Sequence, residues 1–230
     1  MNPSPLTIID RGPDWAVIDK PAGLLSVPGK GDEPAKRDCV PARLRLMIPD
    51  ALGPLVVHRL DMDTSGLLVL GLTPHAQRAL SAQFEARTVS KRYIALVDGV
   101  PTRDAGEIRL PIRPDIDNRP WQIVDGLRGR DSITRWQLLA IEVDRARLSM
   151  QPLTGRAHQL RLHAAVSHAQ GGLGCCIVGD VLYGSNYRGP APDDRGTLAP
   201  APRLMLHAAE LSFDDPTTGR RITCSSPAPF

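Results

Sequence analysis

Two apolar stretches with a short polar loop between them constrain the fold of this chain more than any other feature. Residues 54–57 and 67–70 contain Leu and Val with one Pro, and residues 57–66 read Val-His-Arg-Leu-Asp-Met-Asp-Thr-Ser-Gly. Continuous apolar runs of this length are typical of buried strands. We therefore predict that the loop is held against the core, where its carboxylates, Asp61 and Asp63, are costly to desolvate unless a cation lies near them.

A second segment offers such a cation. Residues 153–166 begin with Leu-Thr-Gly-Arg and continue without Gly or Pro, which predicts a short helix that begins near Gly155. In such a helix the neighbours of Arg161 three and four positions away include no acid, so its partner must come from elsewhere in the fold. Leaving a packed guanidinium unpaired costs roughly 3–5 kcal/mol. We predict that a distant carboxylate faces Arg161.

Four further sequence blocks occur along the chain. They are Asp-Lys-Pro-Ala-Gly-Leu at 19–24, Lys-Arg-Tyr-Ile-Ala-Leu-Val-Asp-Gly at 91–99, Gly-Asp-Val-Leu-Tyr-Gly at 179–184 and Leu-His-Ala at 206–208. Together with the Asp61 and Arg161 segments they resemble the RluA family of RNA pseudouridine synthases. The first segment resembles the catalytic signature of that family, the second its arginine motif, and block 91–99 its tyrosine motif. Six blocks in the family's order do not arise by chance, although each alone would be weak.

The resemblance implies roles for five residues. Asp61 would be the catalytic carboxylate beside the ribose, Tyr93 would lie against the target uracil, and Arg161 would keep Asp61 ionised and oriented. Arg59 would grip the RNA backbone or occupy the space of the flipped base, and Arg156 would contribute to a basic RNA-binding face. Isomerising uridine involves no net oxidation, reduction or hydrolysis, so we expect no cofactor and no metal.

Each catalytic candidate also has a structural interpretation. Taken alone, Asp61 would cap a turn, Tyr93 would pack in a strand and Arg161 would form a structural ion pair. The motif context favours catalysis. A glycoside hydrolase with Asp61 and Asp63 as its carboxylate pair is disfavoured, because the two side chains would point to opposite faces of an extended segment. The alternative function is a catalytically inactive RNA-binding protein on the same fold.

Histidine and cysteine spacing indicates neither a metal centre nor a disulfide. His158 and His163 are five positions apart and do not share a helix face, so packing or RNA contact is favoured over metal binding. The four cysteines contain no Cys-x-x-Cys pair, and adjacent Cys175 and Cys176 are poorly placed to bridge each other. With no signal peptide and no apolar stretch of about 20 residues, we expect a cytoplasmic protein that does not enter a membrane.

Composition limits how RNA could be bound. Aromatic residues make up 4% of the chain, and the net charge is +3 from 28 Lys and Arg against 25 Asp and Glu. Few aromatics disfavour a broad base-stacking surface, so shape and phosphate contacts must carry more of the binding. We expect structured rRNA, structured tRNA or both as the partner, no DNA, and a monomeric protein.

Predicted strands outnumber predicted helices. The strands lie at 15–18, 93–97, 133–141, 146–150 and 204–213, a helix lies at 74–87, and loops lie at 28–41 and 185–202. Strands that follow one another in runs favour an α+β fold with a largely antiparallel sheet. The resemblance implies the pseudouridine synthase fold, with a long mixed sheet, flanking helices and a central active-site cleft. We expect residues 1–230 to form a single catalytic domain without an S4 RNA-binding domain.

Overall fold

A computed structural model describes residues 4–31, 33–184 and 201–230 of the chain. The α-helices of the described residues are α1 (Pro34–Arg37), α2 (Val40–Met47), α3 (Pro74–Ala86) and α4 (Gln159–Ala165). The strands are β1 (Thr7–Arg11), β2 (Trp15–Lys20), β3 (Leu55–Val56), β4 (Ser65–Gly71), β5 (Ser90–Asp98), β6 (Ala105–Arg109), β7 (Ile112–Pro114), β8 (Gln122–Val124), β9 (Ile133–Glu142), β10 (Arg145–Pro152), β11 (Leu206–Asp214) and β12 (Arg221–Ser225).

The chain divides into two compact units. The first contains Met1–Lys91 and His207–Pro229, and the second contains Arg92–Leu206 and Phe230. None of the described helices is long and apolar enough to cross a membrane.

The first unit is a sheet covered by one long helix. Strand β2 pairs with β1 and β4, β4 pairs with β3, and β11 pairs with β12, all antiparallel, whereas β4 and β11 run parallel. Alternate residues of these strands point to one face and form its core with Leu80 of α3. In that core the ring of Trp15 meets the ring of Phe213 edge-on, with the centroids 5.1 Å apart.

Helix α3 confirms the helix predicted at 74–87. Its N-cap residue, Thr73, accepts a hydrogen bond from the Ala76 N–H, and its C-cap residue, Arg87, has left-handed backbone angles. Ala76 and Leu80, four positions apart, are buried because they lie on the face that packs against the sheet.

The second unit is a set of antiparallel strands with a short helix. Strand β10 pairs with β5 and β9, β9 pairs with β6, and β7 and β8 form a separate hairpin. Every residue of α4 is buried. The strands predicted at 93–97, 133–141 and 146–150 are confirmed as the centres of β5, β9 and β10.

These strand runs and helices make the chain α+β with mostly antiparallel pairing, as predicted. The prediction that 28–41 is a loop is partly wrong, because this range contains α1 and the start of α2. Pro34 and Pro41 occupy the first turns of those helices, where the missing proline N–H costs nothing. Residues 185–200 of the other predicted loop lie outside the described residues.

All four cysteines are free thiols and buried. Burial raises the pKa of the Cys175 thiol to about 11, with smaller contributions from the neighbouring Cys176 and Asp98. A thiol in this environment is protonated and unreactive at neutral pH.

Candidate active site

The polar loop at residues 57–66, here the Asp61 loop, is held by its backbone in the first unit. The Ser26 hydroxyl donates to the Leu60 carbonyl at 2.7 Å, and its oxygen lies 3.1 Å from the Leu60 N–H, which donates to it. Both residues are buried. One side chain therefore satisfies both backbone groups of the residue that precedes Asp61.

A buried lysine holds the loop on the other side of Asp61. The Lys20 Nζ donates to the carbonyls of Pro21, Leu24 and Met62 at 2.8–2.9 Å. The Met62 carbonyl also accepts the Gly23 N–H at 2.9 Å. Three carbonyl contacts offset much of the cost of burying an ammonium group. Block 19–24 thus supports the Asp61 loop from beneath.

Asp61 begins a tight turn within this loop. The Thr64 N–H donates to the Asp61 carbonyl at 3.1 Å, the distance expected of a four-residue turn. Thr64 is buried, Asp61 and Asp63 are half-buried, and Arg59 is exposed. The turn thus carries half-buried carboxylates on a backbone that is anchored in the core.

The turn leads into β4 through Gly66, which packs directly on β11. Gly66 has a φ of +111°, and a Cβ placed there would lie 2.4 Å from the Ala208 carbonyl oxygen. Only glycine fits this conformation and this approach. Gly66 at the end of the loop is therefore a packing requirement.

His58 is a structural residue of the loop. Its half-buried ring stacks on Phe84 with centroids 4.3 Å apart, and its Nε2 accepts the Val69 N–H at 3.2 Å. Burial, with a smaller contribution from Lys91, lowers the pKa of His58 to about 3. The ring is neutral at physiological pH and serves as a hydrogen-bond acceptor.

In the second unit, Arg161 has a carboxylate partner of its own. The Arg161 Nε and Nη2 atoms donate to the two oxygens of Asp180 at 2.8 and 2.7 Å. The side chains are 3% and 0% exposed, and the guanidinium also lies 5.3 Å from the centre of the Tyr183 ring. The partner of Arg161 comes from outside its helix, as predicted, but its identity as Asp180 was not predicted. The pairing of Arg161 with Asp61 that the resemblance implies stays a prediction.

Asp180 is itself held by its own loop. Its Oδ1 accepts the N–H groups of Leu182 and Tyr183 at 2.9 and 3.0 Å. The Tyr183 hydroxyl accepts the Gln122 N–H at 2.8 Å and lies 2.7 Å from the His158 Nδ1. Block 179–184 therefore holds the Arg161 side chain in place, as block 19–24 holds the Asp61 loop.

The segment before α4 is held by a single glutamine. Gln159 Oε1 accepts the Thr154 hydroxyl and the Arg156 N–H, and its Nε2 donates to the Ile133 carbonyl and the Thr134 hydroxyl, at 2.8–3.1 Å.

The prediction that the helix begins near Gly155 is wrong, because α4 begins at Gln159. The hydrogen bonds of Gln159 hold residues 154–156 in a non-helical path. His158 then takes left-handed backbone angles, with a φ of 52°, which a continuous helix excludes.

In the second unit Tyr93 and His163 are buried, and Arg156 is half-buried. Tyr93 is 9% exposed in β5, opposite Met150. The Arg156 Nε donates to the Asp131 carbonyl at 3.1 Å. His163 is buried with its Nε2 2.8 Å from the Ser132 hydroxyl, and burial lowers its pKa to about 4. His163 is thus a neutral core histidine.

The structure places Arg59 and Asp61 together in the first unit. Tyr93, Arg156 and Arg161 lie in the second unit. Sequence reasoning missed the supporting residues, which are Lys20, Ser26, Gln159 and Asp180. All except Ser26 lie in the six sequence blocks, so the blocks were the available signal. No cluster of three or more His, Cys, Asp or Glu that could hold a metal ion is present among the described residues.

Comparison with known proteins connects this arrangement with a chemistry. Residues 14–166 match a family model described as RNA pseudouridylate synthase. The dual-specificity RNA pseudouridine synthase RluA of Escherichia coli strain K12 is 39% identical over 226 residues, which cover 98% of this chain and 94% of the relative. The Vibrio cholerae protein of the same name is 42% identical over 212 residues, covering 92% and 78%.

Solved structures agree with these sequence relatives. The human RNA Pseudouridylate Synthase Domain Containing 1 structure superposes with a TM-score of 0.74 at 28% identity and covers 100% of this chain and 87% of that chain. Its human counterpart Domain Containing 4 gives the same TM-score at 25% identity. The fold predicted from the six blocks is confirmed.

Proposed function

Since the chain belongs to the RNA pseudouridylate synthase family and is an isomerase that converts uridine to pseudouridine in RNA, we propose that Asp61 is its catalytic carboxylate. We further propose that its targets are uridines in structured loops of rRNA, tRNA or both. The "dual-specificity" in the names of its relatives agrees with more than one class of RNA.

The anchoring of the Asp61 turn is the observation that carries this proposal. Ser26 and Lys20 fix the residues on both sides of Asp61 through buried hydrogen bonds, while Asp61 itself is half-buried. A catalytic group needs a defined position and access to its substrate, and a rigid backbone that carries a partly accessible carboxylate meets both needs. A turn carboxylate with a purely structural role would not need such support from distant residues.

The proposed chemistry is an internal rearrangement. The bond between ribose C1′ and uracil N1 breaks, the uracil turns, C5 bonds to C1′, and the C5 hydrogen leaves as a proton while N1 gains one. Asp61 acts beside C1′, either as the nucleophile or in abstraction of a ribose proton. Tyr93 lies against the uracil and assists the transfer of the C5 proton, and Arg161 keeps the carboxylate ionised. No cofactor takes part.

We propose that RNA is held through its phosphates and its shape. Arg59 is exposed beside Asp61, and Arg156 is half-buried with its Nε bound to the Asp131 carbonyl. Both can meet phosphates with planar, bidentate geometry. We propose a monomer that works in the cytoplasm, where four free thiols stay reduced, and that binds neither DNA nor membranes.

Tritium release tests this proposal. Bulk tRNA and rRNA are prepared with C5-tritiated uridine from cells that lack the protein, and each is incubated with the purified chain. We expect release of tritium to water, and sequencing of the modified RNA should place the new pseudouridines in folded loops. An inactive RNA-binding protein would bind these RNAs and release no tritium, which would refute the proposal.

A further inference from the structure

A chain of buried polar side chains leads away from the Asp61 turn within the first unit. The Ser65 hydroxyl, at the start of β4, lies 2.8 Å from Nδ1 of His207 on β11. On the other side of the ring, Nε2 lies 3.2 Å from the Ser226 carbonyl oxygen and 3.3 Å from its hydroxyl. The Ser226 hydroxyl donates to Asp19 on β2 at 2.6 Å. His207 is 1% exposed.

The hydrogen bonds assign the tautomer of His207. A backbone carbonyl can only accept a hydrogen bond, so the Nε2 that faces the Ser226 carbonyl must carry the proton. In the neutral ring Nδ1 is then an acceptor, and Ser65 donates its hydroxyl proton to it. Ser226, directly after β12, therefore decides which way the hydrogen bond of Ser65 runs.

Ser65 connects these hydrogen-bonded side chains to the catalytic turn. It follows Thr64, whose N–H closes the turn that begins at Asp61. The parallel pairing of β4 with β11 at this point joins Ser65 to His207 and Gly66 to Ala208. The antiparallel pairing of β4 with β2 ends at Gly66, so Ser65 lies one residue beyond it, and the contact between Ser65 and His207 lies where the catalytic turn joins the sheet.

We propose that His207 is a positioning residue for Asp61, acting through Ser65, and that Ser226 sets the tautomer that this role requires. This inference rests on the proposed role of Asp61. The Leu-His-Ala block at 206–208 would therefore hold the residues at which the catalytic turn ends. Ser26 and Lys20 hold its start and its middle. The segment after β12 becomes part of the support of the active site.

Four variants of the full chain, measured by tritium release from C5-tritiated bulk tRNA, test this proposal. Ser65→Ala deletes one hydroxyl and so removes the hydrogen bond with little change of volume. Ser212→Ala is the matched control, because Ser212 is also buried on β11 and hydrogen-bonds the Thr223 hydroxyl at 2.9 Å. His207→Asn keeps an acceptor near the Nδ1 position, whereas His207→Gln keeps a donor near the Nε2 position and loses that acceptor.

We expect Ser65→Ala to lower kcat about tenfold or more with KM within about twofold of the parent, because misplacing a catalytic group slows the reaction without weakening RNA binding. Ser212→Ala should keep the parental kcat, although its melting temperature falls by a similar amount. His207→Asn should be several-fold more active than His207→Gln. If the hydrogen bonds that join Ser65, His207 and Ser226 were merely structural, all four variants would lose stability and keep the parental kcat. That result would overturn the proposal.

The Asp61→Asn variant, assayed beside them, separates this inference from the proposed function. If Asp61→Asn retains parental turnover, the role of Asp61 is wrong and the positioning role falls with it. If Asp61→Asn is inactive while Ser65→Ala and His207→Gln keep the parental kcat, the positioning role alone is wrong. Ser65→Ala, the mildest change, still decides the matter if the histidine variants do not fold.

Discussion

The Asp61 loop and the segment around Arg161 hold their charged residues in opposite ways. In the loop, buried Ser26 and Lys20 bind backbone groups of Leu60 and Met62, and the Asp61 side chain is half-buried. In the segment around Arg161, the guanidinium is itself buried and bound at two points by Asp180. One region anchors the main chain and leaves the carboxylate accessible, and the other anchors the side chain directly.

The difference agrees with the chemistry proposed for the two residues. A carboxylate that must approach the ribose needs an oxygen that the substrate can reach, and a half-buried side chain on an anchored backbone meets this need. A guanidinium that supplies a constant positive charge loses nothing by being fixed, because arginine stays charged in any environment. Substitution of Asp61 should therefore change activity without changing stability, whereas substitution of Arg161 should change both.

The largest effect is expected for Asp61→Asn, which removes the carboxylate charge and keeps its size. Turnover in the tritium assay should fall by more than about a thousandfold, with unfolding free energy and RNA affinity close to those of the parent. Asp63→Asn, two positions along the same turn, is the control and should stay within tenfold of the parent. Residual activity within tenfold for Asp61→Asn would remove Asp61 from the reaction.

Arg161→Ala should affect both properties. It leaves the fully buried Asp180 carboxylate without its cation, so the free energy of unfolding should fall by about 3–5 kcal/mol in denaturant titrations, and turnover should fall as well. The control is Arg135→Ala, because Arg135 is 61% exposed and pairs with Glu107 on the surface. That change should cost less than about 1 kcal/mol. Equal losses of unfolding free energy in the two variants would contradict the view that Arg161 is anchored by a buried ion pair.

The pH dependence of stability should report His163 on α4. Burial lowers its folded pKa to about 4, whereas an unfolded histidine has a pKa near 6.5. The unfolded chain therefore takes up the proton first, and this contribution to stability is complete above pH 6.5 and is lost as the pH falls towards 4. Over this range the parent should lose up to about 3 kcal/mol more than His163→Gln. Parallel pH curves would show that His163 titrates normally.

Ser26→Ala tests the anchoring of the Asp61 loop. The change leaves the buried Leu60 N–H and carbonyl without this partner, so we expect a loss of about 2 kcal/mol by chemical denaturation. Turnover of the folded fraction should also fall, because the residue before Asp61 is released. If stability falls and turnover per folded molecule does not, the backbone anchors do not position the carboxylate.

The smallest effect is expected for Arg59→Ala. RNA affinity should decrease steeply with salt in the parent, since phosphate contacts release counterions, and the slope of log affinity against log salt should become shallower by about one in the variant. Arg11→Ala, which removes an exposed arginine of β1, should keep the parental slope. RNA affinity that does not respond to salt would contradict the phosphate-led picture.

Local patterns predicted most of the elements correctly. The apolar runs around residues 55–56 and 67–70 form β3 and β4, and the helix predicted at 74–87 is α3. The errors arose where a side chain opposed the local pattern. Pro34 and Pro41 start helices in a range that resembles a loop, and the hydrogen bonds of Gln159 delay the start of α4 by four residues from Gly155.

The sequence by itself determined the fold class, the family and the identity of the candidate catalytic residues, because apolar periodicity and motif order are properties of the linear chain. Only the tertiary structure showed what holds the candidates in place: Lys20 and Ser26 beneath the Asp61 loop, Asp180 on Arg161, and Ser226 behind His207. Hydrogen bonds between residues tens or hundreds of positions apart leave no periodic trace in a sequence. They form when folding brings buried polar groups together that must satisfy one another.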